Sequence, residues 1–194
     1  MEELTLANTL ELLGMHLKHI NALKSFYEGK KVKFRYPNFP EDISENIVKY
    51  LIEDIEKISC KRLKVKGDLI TSDNKQVEVK CFTSSGPSSF GPNESWDVIY
   101  FLDGKDFANG NFTLYKVNLS NTSTEFHSIP INSKQTYGNQ CKENRRPRMA
   151  FHEMRKHIQQ YVTIIFQGNL QYHFNTVCLE KTLKNLNLNK NTND

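Results

Sequence analysis

WDVIYFLDG, residues 96–104, carries five consecutive apolar side chains from Val98 to Leu102. A strand with one solvated face alternates apolar and polar residues, whereas a continuous run belongs to a strand covered on both faces. Five residues are also far short of the roughly 20 needed to span a bilayer. The run therefore predicts a central strand with a layer on each side. NFTLYKVNL, after the Gly104–Gly110 turn region, predicts its neighbour.

Helical periods supply the layers. Leu6, Leu10, Leu13, Leu17, Ile20 and Tyr27 recur on one stripe, with Gly14 expected to break the helix in two. A second helix is expected from Asp42, burying Ile47, Leu51, Ile55 and Ile58. Asp42 and Glu45 there stand at capping-box spacing. Pro147 is placed to open a third helix, with Phe151, Met154, Ile158 and Tyr161 on its apolar face. VTIIF and LQYHF, separated by Gln167-Gly168-Asn169, predict a terminal hairpin. The order of elements specifies a mixed α/β (α+β) domain around a central sheet flanked by helices.

GDLITSDNKQVEVK, residues 67–80, predicts a hairpin turning at Ser72-Asp73-Asn74. Val77, Val79 and Cys81 alternate, leaving Glu78 and Lys80 on the opposite face about 7 Å apart. Folding about Asp73 puts Asp68 opposite Glu78, with Cβ atoms roughly 5 Å apart. Two carboxylates and an ammonium then share one patch, which is either a solvated strand face or a metal site. As a metal site, Asp68, Glu78 and the Val79 carbonyl offer the oxygen donors that Mg²⁺ takes. Lys80 would orient the attacking water and stabilise charge, because an ordinary lysine pKa of about 10.4 is too high for general-base work.

Charge is regional. The chain carries a formal +4, and residues 141–160 alone hold six Lys/Arg against two Glu. A second basic stretch runs from Lys57 to Lys66, with an acidic segment before it at 41–56. That distribution suits a polyanion held beside acidic groups, or equally two solvated basic loops. Cys60, Cys81, Cys141 and Cys178 form no CxxC pair and are expected to be free thiols. His16 and His19 have ligand-compatible spacing but no second ligand pair, so a helix flank exposed to water is the expectation. An acidic start and the lack of a membrane-length apolar run predict a cytoplasmic protein without membrane association.

Several segments resemble one nuclease family. GDL…VEVK resembles the PD-(D/E)xK core, with Gly67 where that superfamily has proline. SSFGPNESWDVIYFLD is similar to a stretch of small type II restriction endonucleases in which a Ser-Phe-Gly-Pro loop leads to Trp-Asp, here Ser89 to Pro92, then Trp96 and Asp97. QTYGNQCKENRRPRMAF is similar to the Gln-x-x-x-x-Gln and Arg-Arg-Pro-Arg segment of the same group, with Asn144 where glycine is expected. Ser44-Glu45 resembles the opening of the family's active-site helix. The resemblance spans about residues 44–152.

The length of 194 residues suggests a single domain over 1–194, and the resemblance implies that it holds a restriction-endonuclease-like mixed sheet. Within it fall a helical extension at 1–40, a catalytic and DNA-contacting core at 41–166, and a disordered tail at 185–194. It implies Mg²⁺-dependent cleavage of double-stranded DNA at a short palindromic site by a homodimer, with Asp68, Glu78 and Lys80 catalytic. Glu45 is implied as an accessory acid, beside its helix-capping alternative. Arg145, Arg146 and Arg148 are candidates for reading guanine edges or gripping phosphate, the alternative being a solvated loop. Ser84, Ser85, Ser88 and Ser89 are candidates for phosphate contacts behind the active site. Trp96 is expected in the core. A repair or junction nuclease on the same core, and a DNA-binding protein without catalysis, are the rivals.

Overall fold

The structure, a computed structural model, describes residues 3–32, 37–63 and 67–177. Cys178 and the tail at 185–194 lie outside the described residues. Helix α1 (Leu6–Tyr27) precedes α2 (Glu41–Leu51), which runs into a π-helical turn at Ile52–Glu56. Strands β1 (Cys60–Arg62), β2 (Leu69–Thr71) and β3 (Gln76–Phe82) follow. Next come β4 (Ser88–Ser89), β5 (Val98–Asp103) and β6 (Asn111–Val117). The short helices α3 (Thr124–His127) and α4 (Tyr137–Lys142) lead to β7 (Arg148–Met149), α5 (Phe151–Ile158) and β8 (Val162–Asn169). Residues 170–177 are helical.

Six strands form one mixed sheet in the order β1-β2-β3-β5-β6-β8, and β4 pairs with β7 in a separate ribbon. β3 and β5 are parallel and every other pairing is antiparallel. A parallel pair needs a crossover, and here it is the irregular segment 83–97. Every residue of β5 from Val98 to Leu102 is buried, as its unbroken apolar run requires. Val98, Tyr100 and Leu102 face a core shared with α1, α2, Phe166, Leu170 and Phe174. Ile99 and Phe101 face a second core built by Phe90, Trp96, Tyr137, Met149 and α5. This is an α+β fold with a restriction-endonuclease-like sheet covered on both faces. Among the described residues no helix is long and apolar enough to cross a membrane.

Five local expectations are corrected. α1 is continuous through Gly14, where a side chain would meet nothing within 4 Å. Ile55 is exposed, because the π-helical turn shifts the helical phase and buries Ile52 in its place. Pro147 opens no helix; its carbonyl accepts from the Phe90 N–H at 3.0 Å, and α5 starts at Phe151. LQYHF is helical and β8 pairs with β6, so VTIIF and LQYHF do not form a hairpin. Leu170 and Phe174 are buried at helical i, i+4 spacing while Tyr172 points outward. His16 is also not a water-exposed flank, since its ring stacks against Phe107 and meets Phe39 edge-on, with centroids 5.8 and 5.2 Å away.

Candidate active site and nucleic-acid interface

The β2–β3 hairpin turns through Asn74, whose φ of 62° lies in the left-handed region that asparagine tolerates. Leu69 pairs with Val77 and Ile70 with Gln76. Just before β2, the Asp68 N–H donates to the Val77 carbonyl at 3.3 Å, one residue out of the ladder's register. Leu69 and Val77 belong to the helix-facing core, so alternation turns Asp68, Glu78 and Lys80 to the other face. Glu78 and Lys80 there lie beside Ile99 and Phe101 of β5.

Within this patch the Val79 N–H donates to Asp68 Oδ2 at 2.7 Å, and Lys80 Nζ hydrogen-bonds Glu78 Oε1. The Lys80 ammonium lies 5.9 Å from the centroid of the Phe90 ring. Glu45 reaches the patch from α2, where its carboxylate pairs with the Arg62 guanidinium of β1. Arg62 also pairs with Asp42 at 3.1 Å. The N-cap of α2 is Pro40 and no side chain caps it. Glu45 is therefore not a capping residue: the helix begins before Asp42, and both acids of the expected box pair with Arg62 instead. Arg62 was hidden in the basic stretch, and only the fold brings it to α2.

The electrostatics of the patch are those of acids crowded away from water. Burial, with the nearby Asp68 charge, pushes Glu45 up to about 7 against the pull of Arg62. Burial likewise pushes Glu78 up to about 7, and Lys80 offsets only part of it. Asp68 is raised by burial, tempered by the Val79 N–H and Lys80. Burial works against the Lys80 ammonium, but Glu78, Glu94 and Asp68 outweigh it and hold its pKa above the ordinary value. Lys80 is thus a fixed cation, suited to orienting and stabilising charge and not to accepting a proton.

Among the described residues no three His, Cys, Asp or Glu side chains are arranged as a metal cage. Mg²⁺ usually takes only one or two protein carboxylates and keeps several waters. Asp68 Oδ1 and Glu78 Oε2 accept no hydrogen bond from described residues. The N–H and C=O of a strand residue point to one edge, so the Val79 carbonyl opens beside Asp68. Hard oxygen donors with surplus negative charge fit a divalent cation.

The two segments expected at the nucleic acid come together as the β4–β7 ribbon. Ser88 pairs with Met149 and Ser89 with Arg148. This ribbon covers the face that carries Glu78 and Lys80, through Phe90 and Met149 of the second core. Arg146 and Arg148 are exposed, and their side chains make no hydrogen bond or ion pair with described residues. Arg145 is tethered to Gln135 Oε1 at 3.0 Å and Glu143 Oε2 at 3.3 Å. Gln140 is buried and donates to the same Gln135 oxygen at 3.2 Å, so this glutamine pair holds Arg145 in place. Ser84 and Ser85 are exposed, while Ser88 and Ser89 are half-buried. Trp96 is buried in the core.

Residues 16–160 match the family model of the Bsp6I restriction endonuclease. That stretch is most of the chain and contains every site residue named above. The chain belongs to the Bsp6I restriction endonuclease family. Membership makes it a site-specific endonuclease whose substrate is DNA. No curated protein matches the chain.

Two departures from the resembling motifs have structural causes in this family member. Gly67 adopts φ 79°, which proline, locked near −65°, cannot reach. Asn144 adopts φ 54°, where asparagine replaces glycine at least cost. Glu94 is the site residue that sequence reasoning left without a role; its Oε2 lies 3.9 Å from Lys80 Nζ.

Proposed function

We propose that this member of the Bsp6I restriction endonuclease family is a type II enzyme on a PD-(D/E)xK core. In this reading it hydrolyses one phosphodiester bond in each strand of duplex DNA at a short palindromic site, using Mg²⁺. The observation that carries it is the convergence of Asp68, Glu78 and Lys80 on the sheet face covered by the serine–arginine ribbon. Asp68, Glu78 and the Val79 carbonyl would hold the cation. Bound there, Mg²⁺ would neutralise phosphate charge and lower the pKa of a coordinated water. Lys80 contributes a permanent positive charge beside the attacked phosphate and orients the water. Glu45, tied to Arg62, adds a further acid at the rim. Incubating plasmid DNA with and without Mg²⁺ tests the proposal. Discrete fragments that need the cation support it, structure-dependent nicks point to a repair nuclease, and retardation without cutting contradicts catalysis.

Arg145, Arg146 and Arg148 are proposed to divide base reading from phosphate binding, and single alanine substitutions separate the two. A base reader is expected to lose about 1–3 kcal/mol of discrimination at one position of the site. A phosphate contact weakens binding to all sequences alike and flattens the salt dependence. Three variants with unchanged rate and specificity at every salt concentration would return the segment to a solvated loop.

A palindromic site is matched by a two-fold dimer, each subunit cutting one strand. Helix α1 is the candidate contact. It buries Leu13 and Ile20 against the core yet leaves Met15 and Phe26 exposed. Sedimentation of the protein with its cognate duplex is expected to give two subunits per duplex. One subunit per duplex counts against the dimer.

A further inference from the structure

Two carboxylates lie within ion-pair distance of the Lys80 ammonium, those of Glu78 and Glu94. Glu78 is proposed above as a metal ligand, so its carboxylate cannot serve the ammonium alone. Glu94 approaches the same Nζ from the crossover segment, with Oε2 at 3.9 Å. That separation is an ion contact, longer than a hydrogen bond. Glu94 Oε2 is itself buried and has no hydrogen-bond partner among the described residues, a costly state for a carboxylate oxygen unless a cation is near.

The segment around Glu94 is built to hold this pose. Its N–H donates to the Gly91 carbonyl at 3.3 Å. The side chain then folds back onto Gly91, where a Cβ would lie 2.6 Å from Glu94 Oε1, 2.8 Å from Cδ and 2.9 Å from Cγ. No side chain fits at position 91 unless Glu94 moves. Asn121, buried, donates to the Glu94 carbonyl at 2.7 Å and accepts from the Trp96 N–H at 3.2 Å. Phe90 and Trp96 anchor the segment in the second core on both sides.

We propose that Glu94 is a positioning residue that holds the Lys80 ammonium in place for DNA cleavage, and that Gly91 is the seat on which its side chain rests. The proposal rests on the nuclease reading of Asp68, Glu78 and Lys80. Glu94 lies outside the oxygen set read as metal-binding, so it keeps an anionic partner beside Lys80 when Glu78 is engaged elsewhere. Gly91 does not occupy a left-handed conformation, so alanine there tests space alone.

The test compares the full-length wild type with Glu94→Gln and Gly91→Ala. Single-turnover cleavage of plasmid DNA at saturating Mg²⁺ is read beside the metal-free ¹⁵Nζ resonance of Lys80, assigned by its loss in Lys80→Ala. Both variants are expected to cut on the order of 100-fold slower, the scale of a misplaced catalytic group. The Lys80 resonance is expected to shift in both, while metal-free duplex affinity does not weaken. If Glu94→Gln does not fold, Gly91→Ala carries the same comparison. Wild-type rates in the variants, or slow cutting with an unmoved Lys80 resonance, overturn the role of Glu94. A wild type that cuts no DNA with Mg²⁺ overturns the nuclease reading itself, and the positioning role with it.

Discussion

Cleavage of plasmid DNA is expected to fall by about 10²–10³-fold or more when either carboxylate is neutralised, as Asp68→Asn or Glu78→Gln. Each substitution keeps the shape of the side chain and removes a charge that the proposed cation needs. Metal-free binding to duplex DNA is expected to hold or tighten, because a carboxylate beside the scissile phosphate repels it. A strand face with no catalytic role predicts something else, namely full activity and stability losses of about half a kcal/mol. Cleavage rates and metal-free duplex affinities of the same two variants distinguish the outcomes.

The second large effect is on stability. Glu45 and Glu78 ionise near 4.5 when unfolded but only at about 7 in the fold. Between those values the folded state holds protons that the unfolded state has released. Stability of the metal-free protein therefore falls as pH rises from about 4.5 to about 7, and levels off above. Glu78 alone contributes about 3 kcal/mol to that fall, and Glu45 acts in the same direction. Mg²⁺ is expected to restore stability at about pH 8 and to do little at about pH 5, where the acids are protonated. Thermal unfolding against pH, with Glu78→Gln as reference, isolates the term. A wild type and variant with parallel pH profiles, both indifferent to Mg²⁺, would contradict it.

Much of the fold was legible because its signals are local. The unbroken run Val98–Leu102 required a strand covered on both faces, and both cores are present. The turn at Ser72–Asn74 set the hairpin register of Leu69 on Val77 and Ile70 on Gln76, which brings Asp68 to the strand that carries Glu78. The missed features depend on partners distant in sequence. Glu45 has the spacing of a cap, but Arg62, 17 residues on, takes its carboxylate. Glu94 stands in a loop whose path is fixed only when β3 and β5 pair in parallel. LQYHF reads equally as a strand or a helix from its apolar residues; the exposed Tyr172 between buried Leu170 and Phe174 decides for the helix.

The cleavage patch as a whole turns on the cation at its centre. Lys80 is 20% exposed, hydrogen-bonded to Glu78 and held charged by the acids around it. The most direct measurement is plasmid cleavage by Lys80→Ala with Mg²⁺, on protein whose thermal unfolding is recorded from the same preparation. A folded variant that leaves the plasmid intact is the result the account predicts. A folded variant that cuts it at the wild-type rate would contradict the assignment of the active site to Asp68, Glu78 and Lys80.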